Sequence, residues 1–287
     1  MGSCDTIILM DRQRITITLR NDLLKKVDER IDGTKIRNRS HAIEYLLTKS
    51  VIPPISQAVI LAGGEGVKMR PLTYEIPKAL IPVGGKSLLE YTIESLREAE
   101  IREIILAIGH LGNKIKDHFG NGSKFGVKIT YSEENNSLGT AGALANCYSL
   151  LEQKPFVILH GDILVDLNFR ELIAFHQNIK TNVSTMVLTT KSDPSFYGNV
   201  QLVGNKVVEF VEKPTKKQAA SHLVSTGVYV CEHEIFDYIP EKNPAMLEDV
   251  FPELAKQGKL SGFLFAGKWF DVSTPKNYAE AIAHWKL

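Results

Sequence analysis

Residues Leu61 to Pro71 read LAGGEGVKMRP, directly after the apolar run Gln57-Ala58-Val59-Ile60. The apolar run Ala58–Ala62, ended by glycines, reads as a buried strand. A glycine-rich turn after such a strand lets backbone N–H groups approach a phosphate with no side chain intervening. Two familiar phosphate motifs fail here. A dinucleotide fingerprint needs a third glycine where Met69 stands, so hydride transfer is a poor reading. Gly85-Lys86-Ser87 has the ending of a Walker A loop, but Leu80 occupies the position of its first glycine.

Outward from this stretch, β-rich runs alternate with helical patterns. Strands are expected at Ala58–Ala62, Glu103–Ile108, Val127–Tyr131, Phe156–His160 and Ser184–Thr189. Helices are expected between several of them, at Leu88–Glu98, Lys114–Phe119 and Gly142–Leu151. The alternation predicts an α/β sheet sandwiched by helices, with ligands at the C-terminal ends of its strands. Val51-Ile52-Pro53-Pro54-Ile55-Ser56 interrupts the chain before it, because two successive prolines cannot continue a helix. The chain is therefore read as a block of residues 1–52, a linker of 53–56 and a body of 57–287.

The block differs from the body in charge. Residues 1–52 carry ten Lys/Arg against seven Asp/Glu, leaving 24 against 26 in the rest of a chain whose formal net charge is +1. In the block, Arg14-Ile15-Thr16-Ile17-Thr18-Leu19 alternates as a half-buried strand does. Asn21 and Asp22 are good caps for a helix whose stripe is Leu23, Leu24, Val27 and Ile31, with Gly33 ending it. Asn38-Arg39-Ser40 opens a second helix with Ile43, Leu46 and Leu47 as its stripe. One strand and two helices in about 50 residues make too little core to stand alone. A lone strand also needs a partner for its backbone groups. Pairing with the same strand of a second chain meets both needs and predicts a homodimer or a higher even oligomer. The resulting ribbon would display Arg14, Thr16 and Thr18 twice and fit a DNA major groove. The free N–H groups near Asn38 and Arg39 would suit a backbone phosphate. RITITL, the capped LLKKV helix and GTKIRNRSHAIEYLL together resemble the ribbon-helix-helix DNA-binding domains over residues 11–51. A purely dimerising role for the block stays open beside DNA binding, and the apolar run Thr6–Met10 has no assigned partner.

The body carries six motifs in order: LAGGEGVKMRPLTYEIPKALIPVGGK at 61–86, SLGTAGAL at 137–144, HGD at 160–162, EKP at 212–214, STGVYV at 225–230 and WFDVSTPKNY at 269–278. Together they resemble the sugar-1-phosphate nucleotidylyltransferases, or NDP-sugar pyrophosphorylases, over essentially all of residues 57–287. The resemblance implies a Rossmann-like, doubly wound mixed sheet. It also implies a reaction in which a sugar 1-phosphate oxygen attacks the α-phosphorus of a nucleoside triphosphate and pyrophosphate leaves, a task of aligning polyanions and covering charge. On that resemblance Leu61, Gly63, Gly64, Gly66 and Gly139 border the nucleotide, and Lys68 and Lys78 hold its triphosphate. Asp162 and Asp271 hold Mg²⁺, a hard ion suited to few carboxylate ligands when phosphates supply the rest. Glu212 takes sugar hydroxyls, Lys213 the sugar phosphate, and Gly227 shapes the sugar pocket. His110 and His160 are read as satisfied strand-end histidines, and Trp269 as core.

The site motifs depart from the family's usual pattern. Its first loop usually reads G-x-G-T-R-L-x-P, whereas here Val67 loses a hydroxyl and Lys68 replaces a planar guanidinium by a point charge. His160 stands for a usual Asn, Ser225-Thr226 for Asn-Ala, and Ser273 for a usual Gly. An altered substrate, a slower enzyme, or a regulator that senses a nucleotide or sugar nucleotide are all compatible with these changes. The chain ends soon after the last motif, without a hexapeptide-repeat extension, so no acyltransferase activity is expected.

Composition narrows the setting. With 44% hydrophobic and 23% charged residues, the chain has the balance of an ordinary globular protein. No apolar run approaches the ~20 residues of a membrane span, and the N-terminus lacks a signal-peptide pattern. Cys4, Cys147 and Cys231 are widely spaced, as isolated thiols in a reducing compartment are, so a cytoplasmic location is expected.

Overall fold

A computed structural model describes residues 15–34, 36–51, 55–241 and 244–285. The chain divides into two compact units, residues 1–53 and 54–287. Among the described residues no helix is long and apolar enough to cross a membrane.

The first unit contains helix α1 (Asn21–Asp28) and helix α2 (Arg39–Val51). Its small core is Val27, Ile36 and Ala42, with Ile31, Ile43 and Leu46 packed against it. Three details differ from expectation. Arg14 and the run Thr6–Met10 lie outside the described residues, and Ile15–Leu19 belong to no strand. A two-stranded ribbon takes its second strand from another chain, so a single chain has no ladder to close. Helix α1 has Arg20 at its N-cap with no side-chain bond, so neither Asn21 nor Asp22 caps it. It also stops at Asp28, ahead of Gly33, whose φ of +71° opens a turn in which Asp32 and Gly33 donate to the Ile36 carbonyl. Asn38 does cap α2, its Oδ1 accepting from the His41 N–H at 2.9 Å.

The second unit is built on a nine-stranded sheet. Its strands are β1 (Gln57–Leu61), β4 (Glu103–Ile108), β5 (Lys128–Glu133), β6 (Phe156–His160), β8 (Ser184–Thr190), β9 (Gly198–Val203), β10 (Lys206–Glu212), β11 (Leu223–Cys231) and β12 (Leu260–Leu264). Short pairs add β2 (Pro82–Val83) with β3 (Lys86–Ser87), and β7 (Ile163–Val165) with β13 (Trp269–Asp271). Across the main sheet the order is β5-β4-β1-β6-β11-β8-β12-β10-β9. The first four strands run parallel, and β11 is antiparallel to both β6 and β8. The sheet is therefore mixed, as expected.

Both faces are covered, which is why the central strands are almost wholly apolar. Helices α3 (Leu88–Glu98), α4 (Gly112–Phe119) and α6 (Phe169–Gln177) contribute Leu89, Ile93, Phe119 and Leu172 to one core. Helices α5 (Gly139–Asn146) and α7 (Leu247–Lys256) contribute Leu144, Val250, Phe251 and Leu254 to the other. A third cluster, including Met69, Ile81, Leu164 and Trp285, lies beneath the first loop and beside helix α8 (Pro275–His284). Helix α3 starts where Ser87 and Glu90 form a reciprocal capping box. Helix α5 begins at Gly139, earlier than expected, and breaks after Asn146 into a 3-10 turn at Tyr148–Leu150.

The chain runs from β1 outward through β4 to β5, then returns to β6 on the other side of β1. This reversal opens a crevice at the carboxyl ends of β1 and β6, where α/β sheets take their ligands. Because β11 runs opposite to β6, pairing Val228 with Leu159, its early residues Ser225–Gly227 reach the same rim.

Candidate active site

Two clefts open at that rim. The first, about 390 Å³, is bordered by Leu61 to Gly64 and Gly66 of the β1 loop, by Lys78, and by Gly139 and Thr140 of α5. The second, about 190 Å³, is bordered by Lys68, Glu212, Lys213, Gly227 and Asp271. His160 and Asp162 line both. The residues expected around a nucleotide thus gather in one cleft, except Lys68, which borders the second. The residues expected around a sugar gather in that second cleft with Asp271. Of the residues expected to contact DNA, Thr16, Thr18, Asn38 and Arg39 belong to the first unit, and Arg14 lies outside the described residues.

The glycines have distinct local reasons. Gly66 adopts φ +63°, and a Cβ there would sit 2.8 Å from Thr73 Cγ2, whose hydroxyl donates to the Gly66 carbonyl. A side chain on Gly63 would strike the Glu134 carboxylate. Gly64 has open space where its side chain would be. Gly227 adopts φ +81°, and a Cβ there would approach His160 Nδ1 to 3.1 Å. Val67 is 56% exposed. Arg70 is turned away, bonded to Glu65 at 3.0 Å and lying over the Tyr74 ring, so it does not replace the family's loop arginine.

Charge is concentrated where the clefts meet. Lys78 Nζ forms an ion pair with Asp162 Oδ2. Burial opposes ionisation of Asp162, but the Lys78 ammonium overcomes it and holds the carboxyl below its ordinary range. Asp271 shifts the other way, raised by burial and by the neighbouring Asp162 charge. Ser273 Oγ donates to Asp271 Oδ2 at 2.7 Å, a bond that the usual glycine at this position could not supply. Lys213 bonds Glu212 at 2.8 Å, and that bond raises its pKa. Its backbone lies at φ +45°, rare for a side-chain-bearing residue, while its N–H donates to the Tyr197 carbonyl. Trp269 is buried and donates from Nε1 to the Thr226 carbonyl at 2.9 Å, fixing the bulged start of β11.

The two histidines part company. His110 Nε2 lies 3.1 Å from the Thr73 carbonyl and is satisfied as expected. The same reading of His160 is corrected: its Nε2 is buried without a hydrogen-bond partner among the described residues. Its ring packs over Gly227, and that packing leaves Nε2 facing no protein acceptor or donor.

Several groups that border the clefts had no role assigned from the sequence. Glu134 borders the first cleft and accepts from the Leu138 N–H at 3.0 Å. Its position just beyond the end of β5, a parallel strand, was the available signal. Tyr197, Tyr229 and Glu248 border the second cleft. Burial and the Asp271 charge push the Tyr197 hydroxyl up to about 12. Tyr229 is raised further, chiefly by burial, and exchanges a 3.0 Å hydrogen bond with Ser225. Among the described residues no cluster of three or more metal-ligating side chains occurs.

The chain belongs to the nucleotidyl transferase family, whose model matches residues 57–286. The mannose-1-phosphate guanylyltransferase catalytic subunit beta of Drosophila melanogaster is 33% identical over 227 residues, covering 78% of this chain and 61% of that protein. Its Danio rerio counterpart is also 33% identical, covering 77% and 62%. The chain thus spans about three-fifths of the length of these curated relatives. Among solved structures, one from Bacillus anthracis, described as a glucose-1-phosphate thymidylyltransferase with sucrose, superposes with a TM-score of 0.72 at 28% identity, covering 79% of this chain and 94% of that one. A UDP-glucose pyrophosphorylase bound to UDP-glucose shares the fold, with a TM-score of 0.71 at 22% identity and coverage of 80% and 98%.

Proposed function

We propose that residues 57–287 join a nucleoside triphosphate to a sugar 1-phosphate, releasing pyrophosphate and forming an NDP-sugar. The observation that carries this reading is the meeting of two clefts at one carboxylate, Asp162, with the β1 glycine loop on one side and Glu212, Lys213 and Asp271 on the other. In this reading the nucleotide lies in the first cleft and the sugar 1-phosphate in the second. An oxygen of the sugar phosphate forms a bond to the α-phosphorus while the bond to the pyrophosphate oxygen breaks. The nucleophile is already an anion, so no proton need be removed. The chain's work is alignment and charge cover. Backbone N–H groups of Gly63, Gly64 and Gly66 and the Lys78 ammonium meet the triphosphate. Lys213 and Lys68 meet the sugar phosphate from the other side, and Glu212 orients the sugar by accepting from its hydroxyls.

Asp162 and Asp271 fit a divalent cation. Both are hard oxygen donors bordering one cleft, and the Asp271 carboxyl, raised by burial and then by the Asp162 charge, is one whose ionised form a cation would favour. Mg²⁺ held there would supply Lewis-acid cover for phosphate oxygens.

We assign residues 1–52 to a ribbon-helix-helix module that pairs two chains and binds DNA. In the single chain Ile15 and Ile17 are 67% and 47% exposed, and Leu23 and Leu47 are exposed too, an apolar surface suited to a second copy. Thr16 and Thr18 alternate with these isoleucines, while Arg39 is tied bidentately to Asp28, which directs phosphate contact there to the backbone near Asn38. The exposed Val67 and the replacement at Lys68 favour a second reading, a DNA-binding regulator that senses a sugar nucleotide with little turnover. Buried free thiols at Cys147 and Cys231 accord with a cytoplasmic setting.

Incubating the protein with Mg²⁺, each nucleoside triphosphate and a panel of sugar 1-phosphates tests the enzymatic reading. GTP with mannose 1-phosphate comes first, given the named relatives. Pyrophosphate release that is lost with a chelator and in Asp162→Asn is expected. Absence of release with every pair refutes it.

A further inference from the structure

The walls of the two clefts are one piece of structure, held by a hydrogen bond between a residue of SLGTAGAL and one outside every motif. Thr140, second residue of α5, borders the first cleft, and Glu248, second residue of α7, borders the second. Thr140 Oγ1 donates to Glu248 Oε2 at 3.0 Å and accepts from the Leu247 N–H at 2.8 Å. Both hydrogen-bonding roles of the hydroxyl are therefore used on the same turn of α7. The backbone reinforces the junction, with Ala141 and Gly142 N–H groups donating to the Ala245 carbonyl and the Ala245 N–H donating to Leu138.

We infer that Glu248 is a sugar-reading residue and Thr140 its positioning residue, so that the helix bordering the nucleotide cleft fixes the carboxylate that accepts hydroxyls in the sugar cleft. This rests on the assignment of the two clefts given above. A carboxylate only accepts, and with Oε2 engaged by Thr140, Oε1 is the oxygen left for hydroxyl donors. Glu212 and Lys213 border the same cleft, and the Lys213 pKa is raised first by its hydrogen bond to Glu212 and further by the charges of Glu212 and Glu248. Two carboxylates with one ammonium suit a neutral, hydroxylated pyranose bearing a single phosphate. They disfavour a sugar that carries a second anionic group, such as a uronic acid 1-phosphate.

The competing role is structural, since an acidic residue in the first turn of α7 also favours that helix. Steady-state kinetics separate the two. Glu248→Gln raises the KM for the sugar 1-phosphate about tenfold or more and leaves the KM for the nucleotide within about twofold, because a charge-assisted hydrogen bond is weakened on one substrate only. Thr140→Val raises the same KM, Thr140→Ser restores it, and Thr140→Val adds nothing to Glu248→Gln. Unchanged sugar KM in Glu248→Gln, an equal rise for both substrates, or a lower melting temperature without a KM change each overturns the inference. Calorimetric titration of GDP-mannose, UDP-glucose and dTDP-glucose, each against its nucleoside diphosphate, reads the sugar contact without turnover. If the wild type favours one sugar nucleotide over its diphosphate and Glu248→Gln loses that preference, the inference stands even where no pyrophosphate is released. If no such preference exists, or it survives the substitution, the inference falls regardless of activity.

Discussion

Gly139→Ala exposes how much of the site depends on one close approach. Gly139 adopts φ +76°, and an added Cβ would fall inside the contact shell of the Ala245 carbonyl oxygen, with Met246 Sδ 2.9 Å away. The left-handed conformation alone costs an alanine about 1–2 kcal/mol. Unlike a side chain, the Ala245 carbonyl cannot step aside, because it accepts from Ala141 and Gly142. Displacing it weakens two hydrogen bonds of about 1 kcal/mol each. The expected loss is about 3–4 kcal/mol, which for a domain of this size lowers the melting temperature by roughly 10 °C. Gly204→Ala is the matched control: its φ is +62°, but nothing lies within 4 Å of the new Cβ. Only the backbone term then applies, about 1–2 kcal/mol. Differential scanning calorimetry of the two variants, with nucleotide binding measured alongside, decides the matter. Equal melting temperatures in the two variants would show that the Ala245 contact contributes nothing and refute the reasoning.

Two further predictions concern acid stability and the first unit. Buried His176 is lowered by burial to about 4 from an ordinary 6.5, so the unfolded chain takes up a proton that the fold refuses; its stability contribution is full above pH 6.5 and falls toward pH 4. The fall is about 3 kcal/mol, trimmed by Glu232, 3.3 Å away, whose burial-raised carboxyl favours the fold at low pH. Urea unfolding at pH 7.5 and 4.5 should show this slope in the wild type and lose most of it in His176→Gln; the same slope in both would exclude His176 as its source. For the first unit, the full chain should sediment as a dimer or larger and shift DNA in a gel, more weakly as salt rises. Ile17→Asp should lower the mass and Arg14→Ala with Thr16→Ala the DNA affinity; DNA binding absent at low salt, or unchanged in the double variant, argues against the module.

The fold was legible where local pattern and burial agree. Phe156–Leu159, ahead of His160-Gly161-Asp162, is wholly apolar because β6 lies between β1 and β11 with helices on both faces, and such a strand marks where its next residues go. Asp271 is found by motif and arrives beside Asp162 because β13 pairs Asp271 with Ile163 of β7. Glu248 and Thr140 could not be read in this way, since the bond joining them spans 108 positions and each looks like an ordinary helix-opening residue. The position of Lys68 is set by the turn after Gly66, which is decided by packing on Thr73 rather than by loop composition. Ile15–Leu19 show a different limit: their alternation suits a half-buried strand, yet they belong to none, because alternation does not supply the partner that a strand's backbone groups need.

The Lys78–Asp162 ion pair has a thermodynamic consequence for ligands of the first cleft. A polyphosphate that recruits the Lys78 ammonium must compete with a carboxylate already holding it, so its apparent affinity is reduced by the strength of an intramolecular rival. Once the ammonium is drawn off, Asp162 is left with uncompensated charge beside Asp271, and the pair's appetite for a cation rises. On the proposed reading, linkage would make the effect mutual: a cation on the aspartates would release Lys78 to the phosphate by the same free energy with which the phosphate prepares the aspartates for the cation. On that reading the ion pair would act as a latch that two unlike charges open together more readily than either opens alone.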